Sequence, residues 1–598
     1  KGVPAHDPSD PWQLHDLDGD GWADWVRVGV TTLQFALATG VGQYDVARTL
    51  GGVPERAAAT AVRFADMNAS GTTDIVWIDV SGAPDQAWRY LELFPNGRAG
   101  LLSRIDNGLG KVTNVSYASA AKDAAAARAA GKPWVGRMNV AMAVVKRVEV
   151  DASLGDPMIA MEYVYRDGTY APRERTFATF AGGAERQVGD EHTPTLILES
   201  TFDPGVEHRT LRGAVLRTEA RDEQGYVFSR TTSQHATRSL GKSQDGRDIE
   251  YSYKRAELIE HVEGSPSPES RTTLTEWEQD DYGNLTTEWR WGEVVGTEKL
   301  VGGDEAITRR TFANNVEDWI LGRVATEELI DGAGSRVSMV RSYYDGAPFQ
   351  GLTLGLVARG DLSRVEEWVG PSPDSFELES SMAYDSDGHL TETKDSRGGG
   401  RLFEYDPVDR VVLRAEGVKL DGRTLRVAST GDAAIGRPLS ITGYDGQTTT
   451  LRYDALARLV AMERPGDSPG APSVRYSYET LPGLSRVITE RRVSLGGDLW
   501  ERTEELYDGL GRRRAALTKA DEGTWALGGV VLFDRRGEQR KQLDTKAIPT
   551  SERDTLDILK DGPGVEFWRD AIARPTETVS RLGTVVRNRY SPFSVGHW

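Results

Sequence analysis

The sequence predicts an all-β protein, on three observations: short runs alternating apolar with polar residues, turn signals between nearly all of them, and little helical periodicity. Segments 158–165, 250–253, 377–384, 448–453, 474–478 and 584–590 interleave aromatic and β-branched residues with Arg, Glu and Thr, as strands with one wet face do. The chain holds 65 glycines, which supply the turns such strands need. Only 120–131, rich in alanine, and 551–560 read as helices.

Composition narrows the function. With 91 acidic against 72 basic side chains, the net charge of −19 repels a phosphate backbone, so no nucleic-acid partner is expected. The absence of cysteine removes disulfides, thiolate catalysis and zinc–thiolate sites. No run approaches the ~18 continuous apolar residues of a membrane helix, so no membrane insertion by this chain is expected. Because it opens on Lys1, the chain reads as a fragment of a longer protein.

Two acidic loops lie near the start. Asp16-Leu-Asp18-Gly-Asp20-Gly-Trp-Ala-Asp24 runs into the apolar strand 25–28, and Asp66-Met-Asn68-Ala-Ser70-Gly-Thr-Thr-Asp74 runs into 75–78. Both carry oxygen-bearing residues at positions 1, 3, 5 and 9 with Gly at 6, so alternate side chains can converge on a hard cation such as Ca2+. Position 12 is Arg27 or Trp77 and strands follow, which excludes EF-hands. Asp16, Asp18, Asp20 and Asp24, with Asp66, Asn68, Ser70 and Asp74, are the candidate metal ligands, Ser70 being the poorer donor at its position. These loops resemble the calcium loops of FG-GAP or VCBS-type β-propeller blades, in which the ion is structural.

Later in the chain one unit recurs: an aromatic residue, Asp, three intervening positions, then a basic or polar residue. Its copies are Tyr384-Asp385-Ser-Asp-Gly388-His389, Tyr405-Asp406-Pro-Val-Asp409-Arg410, Tyr453-Asp454-Ala-Leu-Ala457-Arg458 and Tyr507-Asp508-Gly-Leu-Gly511-Arg512. Weaker copies start at Phe533-Asp534 and Arg569-Asp570, and degenerate ones at Asp222 and Asp281. The unit reads as a hairpin turn: Asp accepts the turn's own N–H groups, Gly takes the left-handed conformation, and Arg lies across a neighbouring ring or carboxylate. Ala457 and Ala573 stand at the left-handed position, where Ala costs on the order of 1 kcal/mol, so a different geometry is expected in those two turns.

These units resemble the YD repeats of the RHS family. The stretch 100–110 leading into strand 111–117, and Tyr163-Val-Tyr165-Arg-Asp-Gly168-Thr-Tyr170 ahead of Glu174-Arg175-Thr-Phe177-Ala-Thr-Phe180, resemble the region between propeller and wall in the B component of insecticidal toxin complexes and in SpvB-type proteins. The resemblance implies an incomplete propeller over 1–97, a linker with first wall strands over 98–157, and over 158–598 a YD-repeat sheet spiralling into a hollow shell. It further implies a secreted protein that encloses a toxic polypeptide together with a C-like RHS component or a C-terminal toxin cargo, and docks through its propeller onto a pore-forming A-like component. A surface-attached or secreted adhesin that binds glycans or proteins is the alternative.

No catalytic constellation emerges. The eight histidines are scattered singly, and neither H-E-x-x-H nor G-x-S-x-G occurs. Leu240-Gly241-Lys242-Ser243 resembles the end of a phosphate-binding loop, but Ala236 stands where the earlier glycine belongs. The chain is therefore expected to be a structural protein and not an enzyme.

Overall fold

The computed structural model describes residues 12–597 apart from 81–86, 96–97, 137, 139–141, 173, 265–269, 302, 372–373, 409, 421 and 482. Nearly all of it is antiparallel β structure. The N-terminal part folds as small sheets. Gln13–His15, Asp24–Val28, Thr32–Ala36 and Arg48–Gly51 form one, Ala38–Gly40 pairs with Gln43–Tyr44, and Thr60–Ala65, Asp74–Asp79 and Trp88–Leu91 form a third. The strands that follow the two acidic loops share one core, in which Leu17, Val26, Leu33, Ile75 and Trp77 are buried together.

From Arg104–Asp106 onward the chain builds one continuous sheet of 29 strands, each hydrogen-bonded to its neighbour in chain order as far as Thr524–Gly528, which then pairs with Lys546–Pro549. Six more strands, Val531–Phe533 through Ser594–His597, form the last sheet. Sequential antiparallel hairpins satisfy every strand's backbone from its immediate neighbours, so a sheet of any length can be laid down from local pairings. Strands are longer than the sequence suggests: Val227–Lys242 has 16 residues and pairs along most of its length with Asp248–His261. The helix Ala120–Ala129 forms as expected, capped by the Ser119 hydroxyl, whereas 551–560 yields only the short 3-10 turns Thr550–Glu552 and Leu556–Leu559.

Hydrophobic burial is unevenly distributed. The largest core lies late, where Leu484, Leu506, Leu517, Trp525, Leu527, Ile548 and Ile558 pack together. Along strands 143–261 the polar face is laced by cross-strand ion pairs: Glu162 joins Arg147 to Arg186, Glu199 joins Arg166 to Arg221, and Arg230 joins Glu219 to Glu260. Each such exposed pair contributes under about 1 kcal/mol, so the sheet is held chiefly by its ladders and by what closes it.

Candidate functional site: two acidic loops and a closing seam

The two acidic loops fold alike: each position-1 aspartate caps the backbone of its own turn and each position-9 aspartate bonds the N–H of position 2. Asp16 accepts N–H bonds from Gly19 (2.8 Å) and Gly21 (3.0 Å), and Asp66 from Ser70 (3.0 Å) and Gly71 (2.9 Å). Asp24 reaches back to Leu17 N at 2.7 Å and Asp74 to Met67 N at 2.8 Å. The loops also touch: Thr73 N donates to Leu17 O and the Thr73 hydroxyl to Asp16 O. A Cβ on Gly19 would stand 2.3 Å from Gly71 O, so only glycine permits that approach.

The first loop brings Asp16, Asp18 and Asp24 together, each with an oxygen within 4.8 Å of the others, while Asp20 is not among them and caps Trp22 N. Such a set suits an oxygen-seeking dication. Burial pushes Asp24 up to about 6 and also raises Asp18. In the second loop Asp66 and Asn68 cap the turn and Ser70 Oγ bonds Thr72 Oγ1. Burial raises Asp74, and the charges of Glu92 and Asp66 add to the effect. Asp74 Oδ1 and Glu92 Oε1 are both buried without a hydrogen-bond partner. Glu92 is absent from the sequence-derived ligand set because no motif links it to the loop. A further carboxylate–imidazole group, Asp385, Asp387 and His389, lies in a YD turn. It is closed by the Asp385–His389 bond (3.0 Å) and the Asp387–Arg410 pair (2.5 Å).

Four of the turns share one geometry. In the turns at Asp385, Asp454, Asp508 and Asp570, one carboxylate oxygen accepts the N–H groups two and four residues on, and the other takes the side chain of the fourth: His389, Arg458, Arg512 or Arg574. Gly388, Gly511 and Gly537 have positive φ as expected. Contrary to expectation, Ala457 (φ 57°) and Ala573 (φ 66°) adopt it too, and their turns keep the common form, because the Asp cap and the Arg clamp outweigh the cost of a left-handed alanine. Two registers also differ from the sequence reading. The capping residue of the degenerate unit is Asp280, whose N–H bonds Asn284 O, and not Asp281. In the turn after Tyr405 the positive φ falls on Arg410, and Asp409 lies outside the described residues.

The late YD turns meet the early part of the sheet. Asn107 donates to Gly509 O and Gly509 N to Ala152 O, and Ser153 Oγ bonds Gly483 O at 2.6 Å. Arg514 grips Asp156 with two bonds (2.5 and 3.1 Å). Thr193 bonds Asp534, Arg535 N bonds Asp190, and Arg536 reaches Gln187, Pro194 O and Ala571 O. His192 stacks on Trp568 at 5.3 Å, and Arg574 forks onto Glu263 at 2.7 and 2.8 Å while Ala571 packs against Leu196 and Phe228. Apart from Arg536 and Ala571, these partners stand 311 to 402 residues apart, so the chain lays its second pass along the rim of its first. Glycine makes the approach possible: a Cβ on Gly110 would lie 2.3 Å from Gly483 Cα, and one on Gly509 2.3 Å from Lys111 N.

Fold and seam together define a wound β-sheet whose later strands close onto its earlier ones. Comparison with known proteins gives that class its particular relatives. Residues 33–197 match the family described as the insecticide toxin TcdB middle/N-terminal region. A TcdB2-TccC3 crystal structure shares the fold with a TM-score of 0.82, at 13% identity over 98% of this chain and 38% of that one. The Photorhabdus luminescens Tc holotoxin pore does so at 0.79, 12%, 98% and 39%. The double-stranded DNA deaminase toxin A of Burkholderia cenocepacia (strain H111) is 26% identical over 219 residues, 36% of this chain and 14% of that protein. The chain thus spans well under half the length of these proteins, and it resembles Tc toxin B proteins in fold and, over residues 33–197, in sequence. Among the described residues no helix is long and apolar enough to cross a membrane.

Proposed function

We propose that the chain is part of the structural shell of a secreted toxin-delivery complex and carries no catalytic site. Its wound sheet encloses a toxic polypeptide, completed by a C-like RHS component or a C-terminal toxin cargo, and its N-terminal β unit, part of a propeller, docks on a pore-forming A-like component. The seam carries this reading: a sheet bonded to its own earlier strands can bound a space, which an open adhesive sheet has no need to do. The match to the TcdB region, and a fold shared with structures named for TcdB2-TccC3 and for a Tc holotoxin pore, support the same assignment. The two acidic loops would hold Ca2+ as a structural ion: Asp16, Asp18, Asp20 and Asp24 in the first, and Asp66, Asn68, Ser70 and Asp74 in the second. There it would restore charge to carboxyls that burial disfavours and tie the loops to each other.

Electron microscopy of the full-length protein, co-expressed with the product of its neighbouring gene, tests the proposal. A closed shell containing extra, poorly ordered density supports enclosure and identifies the neighbour as the cargo-bearing half. An open or solid β structure without internal density overturns it, and glycan- and cell-binding screens for an adhesin then follow.

A further inference from the structure

The two acidic loops differ at one place that the loop motif does not include. In the first unit Trp25 pairs with Ala36, so the next position along the ladder sets Leu37 opposite Asp24. In the second unit Ile75 pairs with Leu91, which sets Glu92 opposite Asp74. Residues opposite one another on adjacent strands share a face of the sheet. The apolar Leu37 goes with a satisfied aspartate, since Asp24 Oδ1 accepts the Ala38 N–H at 2.8 Å and Oδ2 accepts that of Leu17. At the second loop Asp74 is fully buried, its Oδ2 accepts Met67 N, and its Oδ1 has no donor. Glu92 Oε1 is likewise buried and without a donor. Buried acceptors in folded proteins are almost always paired, and leaving two buried carboxylate oxygens unpaired is costly. A hard dication answers both at once, because it takes six to eight oxygens and tolerates irregular geometry.

We propose that Glu92 is a ligand of the second loop's cation site, so that a calcium-sized dication there is held by the strand Trp88–Leu91 and its continuation as well as by Asp66, Asn68, Ser70 and Asp74. Glu92 makes up the negative charge that Ser70 forgoes relative to Asp20 of the first loop. The ion then clamps two strands of the small sheet, whereas in the first unit the Ala38 N–H performs that task. This inference rests on the calcium reading of the loops and extends it to a residue outside the motif.

Equilibrium dialysis of the 598-residue chain against radioactive calcium tests it, using wild type, Glu92→Gln and, for the first loop, Asp18→Asn. The expected result is two sites in wild type, with Glu92→Gln weakening one on the order of tenfold and Asp18→Asn weakening the other. Hydrogen exchange on wild type needs no variant: calcium is expected to protect 88–92 together with 66–74. Wild type that binds no calcium overturns the calcium reading itself. Two sites left intact by Glu92→Gln, or protection of 66–74 without 88–92, overturns the role of Glu92 alone.

Discussion

The turns at Asp454 and Asp570 are the same device in two settings. Both cap themselves with aspartate, both place an alanine in the left-handed region, and both clamp the cap with an arginine four residues on. Arg458 then ends over its own neighbour's ring, 4.4 Å from the centre of Tyr478. Arg574 continues past its cap to fork onto Glu263, contributed by a strand pair 311 residues earlier. The YD turn is therefore a local fold element first, and it becomes a fastener only where the previous pass of the sheet presents a partner to it. This explains why the unit can recur at uneven spacing, because the turn does not depend on its long-range partner.

The largest expected effect comes from breaking one arginine of each kind. Arg574→Ala strips the partner from Glu263, whose side chain is 8% exposed, and leaves a buried carboxylate unpaired, at a cost of about 3 kcal/mol. Arg458→Ala removes a pair that is 43% and 24% exposed and is expected to cost under about 1 kcal/mol. Calorimetry with limited proteolysis checks both. Early cleavage near 570–597 in the first variant alone confirms the contrast, and equal losses would show that the fork onto Glu263 fastens nothing.

A smaller effect separates turn from seam within a single loop. Gly509→Ala drives a methyl to within 2.3 Å of Lys111 N, where both neighbours are backbone, so the seam must open, at about 2 kcal/mol. Gly511→Ala meets nothing within 4 Å and pays only for its positive φ, about 1 kcal/mol, the same strain Ala457 and Ala573 already carry. Melting temperatures of the two variants order the effects. If Gly511→Ala were the more damaging, turn conformation and not close approach would govern closure.

What the sequence made legible follows the same division. The caps at Asp385, Asp454, Asp508 and Asp570 could be read because Asp, the left-handed position and the clamp lie within four residues of each other. The all-β class, the helix at Ala120–Ala129 and the strands after the acidic loops were legible for similar local reasons. Asp156, Asp190 and Glu263 were not, since each looks like any surface acid until the chain returns more than 300 residues later. Glu92 was hidden one level lower, because its tie to Asp74 runs through strand register. Strand lengths were underestimated because both faces of the sheet carry polar residues, so Val227–Lys242 lacks the clear alternation that marks a half-buried strand.

The smallest effect, and the one that probes the comparison most finely, is the response to acid. At the seam, burial pushes the Asp156 carboxyl above its ordinary 3.8, against the pull of Arg514 and Arg512. In the turn at 454, the Arg458 clamp and the turn's N–H groups hold Asp454 below the same value. The signs are opposite. A carboxyl raised in the folded state contributes its stabilisation fully below 3.8 and loses it as pH rises through the folded value. A lowered one contributes above 3.8 and loses it as pH falls through the folded value. Acidification toward 3.8 therefore leaves the Asp454 cap intact while the seam around Asp156 holds or tightens, and only below that does the cap weaken. Hydrogen exchange, corrected for intrinsic rates, is expected to show protection at 150–158 steady or rising relative to 452–460 as pH falls from neutrality. A seam that loosens over that range would mean that charge pairing with Arg514, and not burial, dominates at Asp156, and the fasteners would then be the acid-sensitive part of the wall.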